Sequence, residues 1–199
     1  MNGTKKTPFR NVLDARPVIV AIAGPNGSGK TTFYEVFVRR AGLRYVNADA
    51  IAQELGVGAY EAAKVADALR RELVHQHESF VFETVLSDPA GEKIAFLKNA
   101  VGQGYTVALC YIGISSPEIS GQRVSMRVSQ GGHDVPGEKL ASRFPRTLAN
   151  LKLALRELPC VLVFDNDDLA NPCQRVAWYA NGVKMEQQTV IPNWLAKLL

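Results

Sequence analysis

The chain has few of the residues that build metal or disulfide scaffolds, with 3 cysteines and 3 histidines among 199 residues. Cys110, Cys160 and Cys173 show no C-x-x-C spacing, so neither a zinc site nor a disulfide framework is encoded. Cys110 and Cys160 stand inside apolar runs, as small buried hydrophobes in a reducing cytoplasm would. Long apolar runs are missing too. Those at 18–23 and 161–164 fall far short of the roughly 20 residues a spanning helix requires. No apolar leader follows the early lysines, which predicts a cytoplasmic protein with no membrane contact. A surplus of one charge is nearly absent. Of the net +4, three charges come from residues 1–17, where Lys5, Lys6, Arg10 and Arg16 stand against Asp14. The remainder is balanced, so 1–17 reads as a solvated basic tail, and the charge argues against a nucleic-acid partner.

What is present is a core. With 47% apolar residues, a chain of this size can bury roughly 70% of its surface. Short apolar runs alternate with helical periods. Strands are expected at 18–24, 44–47, 80–83, 105–112 and 160–164. Between them, helices are expected at 30–41, at 61–75, and from Asp88-Pro89 onward with Ile94, Leu97 and Val101 as its stripe. Leu148, Leu151, Leu155 and Leu158 mark a last core helix ended by Pro159. Runs apolar on both faces, separated by helices, give an α/β domain over 18–199 with a five-stranded parallel sheet covered on both sides. Asn181-Gly182 predicts a C-terminal β-hairpin over 175–188. The polar, Gly-hinged, Arg-rich stretch 115–146 breaks the rhythm and reads as a helical lid.

Gly24-Pro25-Asn26-Gly27-Ser28-Gly29-Lys30-Thr31 is a full G-x-x-x-x-G-K-[ST] match between an apolar strand and a helix start. Chance would supply such a match in a chain of this length on the order of one per cent of the time. Its backbone N–H groups would cradle the phosphates of ATP, with Thr32 closing the segment. Lys30 would reach the β- and γ-phosphates, and the Thr31 hydroxyl would ligate Mg²⁺. No N-K-x-D guanine motif follows. The run Val161-Leu162-Val163-Phe164-Asp165 superficially resembles the strand-plus-acid of an ATP-driven motor. It lies about 135 residues past the P-loop, however, and reads better as a loop near the base and ribose.

Asp49 closes the second expected strand about 19 residues after Lys30. There it could take the proton of an attacking hydroxyl, or it could simply cap the next helix. Glu83 ends the third strand, where it could hold the magnesium shell or grip an acceptor. Thr84 beside it could donate to substrate or cap the following turn. Arg123 and Arg127 share a helix face at i, i+4, and Arg143 and Arg146 follow at i, i+3 beyond the Gly-rich loop. These are candidate cations for a transferring phosphoryl group, and His133 is a candidate phosphate contact. His75 and His77 read as surface residues.

Taken together, residues 24–32, Val46-Asn47-Ala48-Asp49, 80–87, 123–127, 131–136, 143–148 and Phe164-Asp165-Asn166 resemble the zeta-toxin family of P-loop kinases, in its compact stand-alone branch. The resemblance covers about residues 17–167. It implies phosphate transfer from ATP to a nucleotide sugar such as UDP-N-acetylglucosamine, and an antitoxin protein as partner. It makes Lys30 the phosphate clamp, Asp49 the base and Glu83 an acceptor contact. Arg127 or Arg123 becomes the first lid arginine. His133 stands where the second would be, and Arg143 and Arg146 offer a cation from the other side. Two readings follow: a kinase with a small-molecule hydroxyl acceptor, or a nucleotide-dependent binding or regulatory module without phosphotransfer. A base facing the γ-phosphate separates them.

Overall fold

A computed structural model describes residues 8–132 and 134–199. The strands are β1 Val18–Ala23, β2 Arg44–Val46, β3 Phe80–Thr84, β4 Thr106–Gly113, β5 Cys160–Asp165, β6 Gln174–Ala180 and β7 Val183–Gln187. They form one sheet in the order β2-β3-β1-β4-β5-β6-β7. The first five are parallel, while β6 and β7 run antiparallel and extend the same sheet. The expected hairpin is therefore a continuation of the sheet. Its Asn181-Gly182 turn has φ of 50° and 78°, the mirror-image geometry that suits a two-residue hairpin.

Alternation along the inner strands feeds two cores. Ile19, Ala21 and Ala23 of β1 join Leu109 and Tyr111 of β4 on one face. Val18, Val20 and Ile22 join Ala108, Cys110 and Ile112 on the other. Helices cover both faces: α1 Pro8–Asp14, α2 Lys30–Phe33, α3 Ala48–Leu55, α4 Ala59–His75, α5 Glu92–Gly102, α6 Pro117–Ser129, α7 Gly137–Glu157 and α8 Asn193–Ala196. Among the described residues, no helix is long and apolar enough to cross a membrane.

Four expectations change. The stretch 8–14 is a helix, not solvated tail, because Phe9, Val12 and Leu13 pack on the second core. The helix expected over 30–41 changes register after Phe33, passing through a π-turn at Tyr34–Val38 and a 3₁₀ turn at Arg39–Ala41. That register buries Phe33, Tyr34 and Val38 together. The α5 helix starts at Glu92, behind a left-handed Gly91, rather than at Pro89. Ala100, not Val101, completes its buried stripe, and Val101 stays exposed. Finally, the end of the lid and the last core helix are one element, α7, which carries Pro145 within it. Its Thr147 Oγ1 donates to Val85 O at 2.6 Å, and Asn150 Nδ2 donates to Leu86 O and Asp88 O at 2.9 Å each. The lid is thus rooted directly in the core.

Candidate active site

The order β2-β3-β1-β4 puts the sheet's change of direction beside β1, and ligands of open α/β sheets bind at the carboxyl ends of the strands at such a point. The P-loop leaves β1 there. Gly24 has φ of 145°, and a Cβ on it would lie 2.1 Å from Ile112 O. Gly29 has φ of 91°, and its Cβ would meet Asn166 Nδ2 at 2.6 Å. Both positions need glycine for conformation and for space. Lys30 Nζ donates to Gly24 O at 3.0 Å and to Pro25 O at 2.8 Å, folding the lysine back over the loop.

The cleft above the loop has a volume of about 480 Å³ and is lined by Lys30, Thr31, Asp49, Glu83, Arg127 and Arg143, among others. Burial lowers the proton affinity of Lys30. The charges of Glu83 and Asp49 oppose that shift, and those of Arg127 and Arg143 add to it. Two acids from the sheet side and two arginines from the lid thus act on one lysine.

Asp49 is not the helix cap. Asn47 Oδ1 accepts from Asp49 N at 2.8 Å and from Ala50 N at 3.1 Å. The Asp49 carboxylate stands in the first turn of α3, exposed to the cleft. Glu83 accepts from Thr31 Oγ1 at 3.2 Å and from the Tyr45 hydroxyl, which in turn accepts from Asn47 Nδ2 at 2.7 Å. Burial first, and then the Glu83 charge, push the Tyr45 hydroxyl pKa well up, so Tyr45 remains a donor. Its ring stacks on Tyr34 with centroids 3.7 Å apart. Thr31 and Glu83 together offer a hydroxyl and a carboxylate at the phosphate end of the cleft. These are the hard oxygen donors magnesium takes, so the residues present fit the ion.

The remaining candidates divide. Thr84 Oγ1 accepts from Leu86 N at 3.0 Å, which makes it a turn cap at the cleft wall. Arg123 donates to Asn166 O at 2.8 Å and to Asp167 O at 2.9 Å, so its guanidinium braces the loop after β5. Arg146 is exposed and not among the cleft residues: the buried face of α7 is set by Leu140, Phe144 and Thr147, and Arg146 turns away from it. His133 lies outside the described residues. Asp165, the motor-like acid, accepts from Trp194 Nε1 at 2.7 Å, and β4 separates its strand from β1.

The sequence reading missed Tyr45, Asn47 and Asn166. Asn166 Nδ2 donates to Ser28 O at 2.7 Å, and its Oδ1 accepts from Cys173 N at 2.9 Å. Tyr45 and Asn47 stand two apart on extended chain, a period-2 signal that could have grouped them. Nothing local could have joined Asn166 to Ser28.

The zeta-toxin family model matches residues 56–172, more than half of the chain. The chain belongs to the zeta-toxin family. The matched stretch carries α4, Glu83, the lid and Asn166, while the P-loop and Asp49 lie upstream of it. An uncharacterised protein of Haemophilus influenzae is 32% identical over 126 residues, which make up 61% of this zeta-toxin chain and 88% of that protein. Among solved structures, the AvrRxo1-ORF1:-ORF2 complex with ATP superposes with a TM-score of 0.68 at 19% identity, over 87% of this chain. This chain spans 62% of that one's length. The PezAT toxin–antitoxin system of Streptococcus pneumoniae gives 0.53 at 16% identity, over 96% of this chain and 82% of that one. At such identities these likenesses show the fold. The fold is thus P-loop kinase-like, and the family is that of the zeta toxins.

Proposed function

We propose that this zeta-toxin family member transfers the γ-phosphate of ATP to a hydroxyl of a small molecule, and that the acceptor is a nucleotide sugar of the UDP-N-acetylglucosamine kind. The observation that carries the reading is the convergence of Asp49, Glu83, Arg127 and Arg143 on Lys30 in one cleft. A nucleotide switch without phosphotransfer needs no free carboxylate facing the phosphate end. That Asp49 lines the same cleft as Lys30, with capping left to Asn47, supports the transfer reading. Residues 24–32 cradle the phosphates, and Lys30 exchanges its loop carbonyls for phosphate oxygens. Asp49 accepts the proton of the attacking hydroxyl. Arg127 and Arg143 neutralise the charge that develops on the phosphoryl group as the lid closes. Thr31 and Glu83 would hold magnesium, which when bound neutralises phosphate charge. Toxin–antitoxin assembly in the PezAT system supports an antitoxin as the partner of this chain.

The direct test is an ATP-consumption screen over nucleotide sugars, free sugars and nucleosides, with Asp49→Asn as the control. Turnover by the parent with one acceptor, lost in the control, is the expected result. Consumption of ATP with none would return the switch reading.

Two measurements check the parts. Lys30→Ala should weaken Mg·ATP binding by about tenfold or more, since a charge-assisted contact is worth roughly 1.5–3 kcal/mol. Equal affinity by calorimetry would end the clamp assignment. On adding a non-hydrolysable ATP analogue with magnesium, amide exchange should slow across 124–143 more than across 117–123. The root of α6 is already pinned, by Ser120 Oγ to Asn26 O at 2.6 Å and by Arg123. Unchanged protection throughout would remove the lid.

A further inference from the structure

Glu83 and Asp49 reach the cleft from different elements, the end of β3 and the first turn of α3. One hydroxyl ties the two together. Tyr45 of β2 donates to Glu83 Oε1 and accepts from Asn47 Nδ2 at 2.7 Å, while Asn47 Oδ1 accepts from Asp49 N at 2.8 Å. A chain of hydrogen bonds thus runs from the backbone that carries Asp49 to the Glu83 carboxylate. Tyr45 is not itself among the cleft residues. It stands behind them, partly buried against the second core, with its ring stacked within 5° of parallel on Tyr34.

What this does to Glu83 follows from the freedom of a carboxylate. The last torsion of a glutamate is broad, so an unheld carboxylate presents its oxygens in many directions. Here Oε2 accepts from Thr31 Oγ1 at 3.2 Å and Oε1 accepts from Tyr45, so the plane of the group is fixed from both sides. The two oxygens offer about four lone-pair sites between them, and these bonds leave the others for a ligand. Tyr45 has one proton to give, and its hydroxyl pKa is pushed well up, by burial first and then by the Glu83 charge. The direction of the bond is therefore set, with Tyr45 as donor. For the stack on Tyr34 a phenylalanine would serve equally well. The hydroxyl is the addition, and it is aimed at Glu83.

We infer that Tyr45 is a positioning residue for the metal site: its hydroxyl holds the Glu83 carboxylate in the orientation in which Glu83 and Thr31 take magnesium. Asn47 keys that orientation to the turn bearing Asp49. The inference rests on the assignment of magnesium to Thr31 and Glu83 in the proposed function. Hydrogen-bond partners behind a metal-binding group are usually worth about 10–100-fold in metal affinity. Orienting the carboxylate during folding takes that ordering cost out of the binding step.

The test is calorimetric titration of a non-hydrolysable ATP analogue into the full chain, once with magnesium and once with a chelator in its place. The ratio of the two affinities isolates what the metal contributes. Tyr45→Phe keeps the ring and removes the hydroxyl. It should reduce that ratio by about tenfold or more, while affinity in the chelator arm stays at the parent value. Tyr34→Phe, which takes the hydroxyl from the other ring of the stack, should keep the parent ratio. An unchanged ratio in Tyr45→Phe overturns the inference and leaves the magnesium assignment standing. Equal losses in both arms also overturn it, since a merely structural role would weaken both alike. Equal affinity of the parent in both arms would overturn the magnesium assignment and the inference with it. Absence of binding in either arm would overturn the P-loop reading as well. Should Tyr45→Phe fail to fold, Asn47→Ser decides by the same ratio, because it keeps a capping oxygen and loses the N–H that holds the Tyr45 hydroxyl.

Discussion

Replacing Asp49 with asparagine should lower phosphate transfer by about 10²–10⁴-fold, the usual contribution of a positioned base, while ATP affinity and melting temperature hold. The separation of rate from stability follows from who caps α3. Both capping bonds end on Asn47 Oδ1, so Asp49→Asn removes no cap. What it does remove is a negative charge in the first turn of a helix, worth about 0.3–1 kcal/mol. The side chain is exposed and isosteric with its replacement, so packing does not change. Steady-state rates with the acceptor from the screen, set beside thermal melts, make the measurement. Near-parent turnover would strip Asp49 of the base role and pass it to Glu83. That residue is the weaker candidate, because its carboxylate already accepts from Thr31 and Tyr45.

Gly24→Ala should be severely damaging, costing about 3–5 kcal/mol through a backbone clash added to left-handed strain. In a chain of this size that is a fall of roughly 6–20 °C in melting temperature. The new methyl would sit 2.1 Å from Ile112 O and 2.9 Å from Ser28 Oγ, between a central strand and the loop itself. The nearer of the two is a backbone carbonyl of a central strand, which cannot rotate aside. Gly42→Ala is the matched control: φ there is 65°, but a Cβ would meet nothing within 4 Å. It should lose only the conformational part, about 1 kcal/mol. Equal melting temperatures for the two variants would refute the close approach of β4 to the P-loop.

Much of the fold is legible in the sequence itself. The parallel strands announce themselves because residues buried on both faces must be apolar at every position, as 18–23 and 161–164 are. The P-loop is legible because its chemistry is local. The losses have physical causes. The register change after Phe33 is decided by burying Tyr34 and Val38 under the sheet, which no propensity reports. Asp49 and Asn47 are both good caps, and only the extended conformation at Asn47 chooses between them. Arg123 looked like a phosphate ligand because its spacing from Arg127 is helical. Its actual partners are carbonyls more than 40 positions away.

The hydrogen bond from Asn166 to Ser28 spans 138 positions, and it has a consequence for synthesis. The P-loop emerges well before one of the side chains that fixes its shape, which follows it by 138 positions. A nascent chain stopped before residue 166 would carry the whole phosphate motif without this brace. The fully braced loop therefore belongs only to a chain synthesised at least through Asn166.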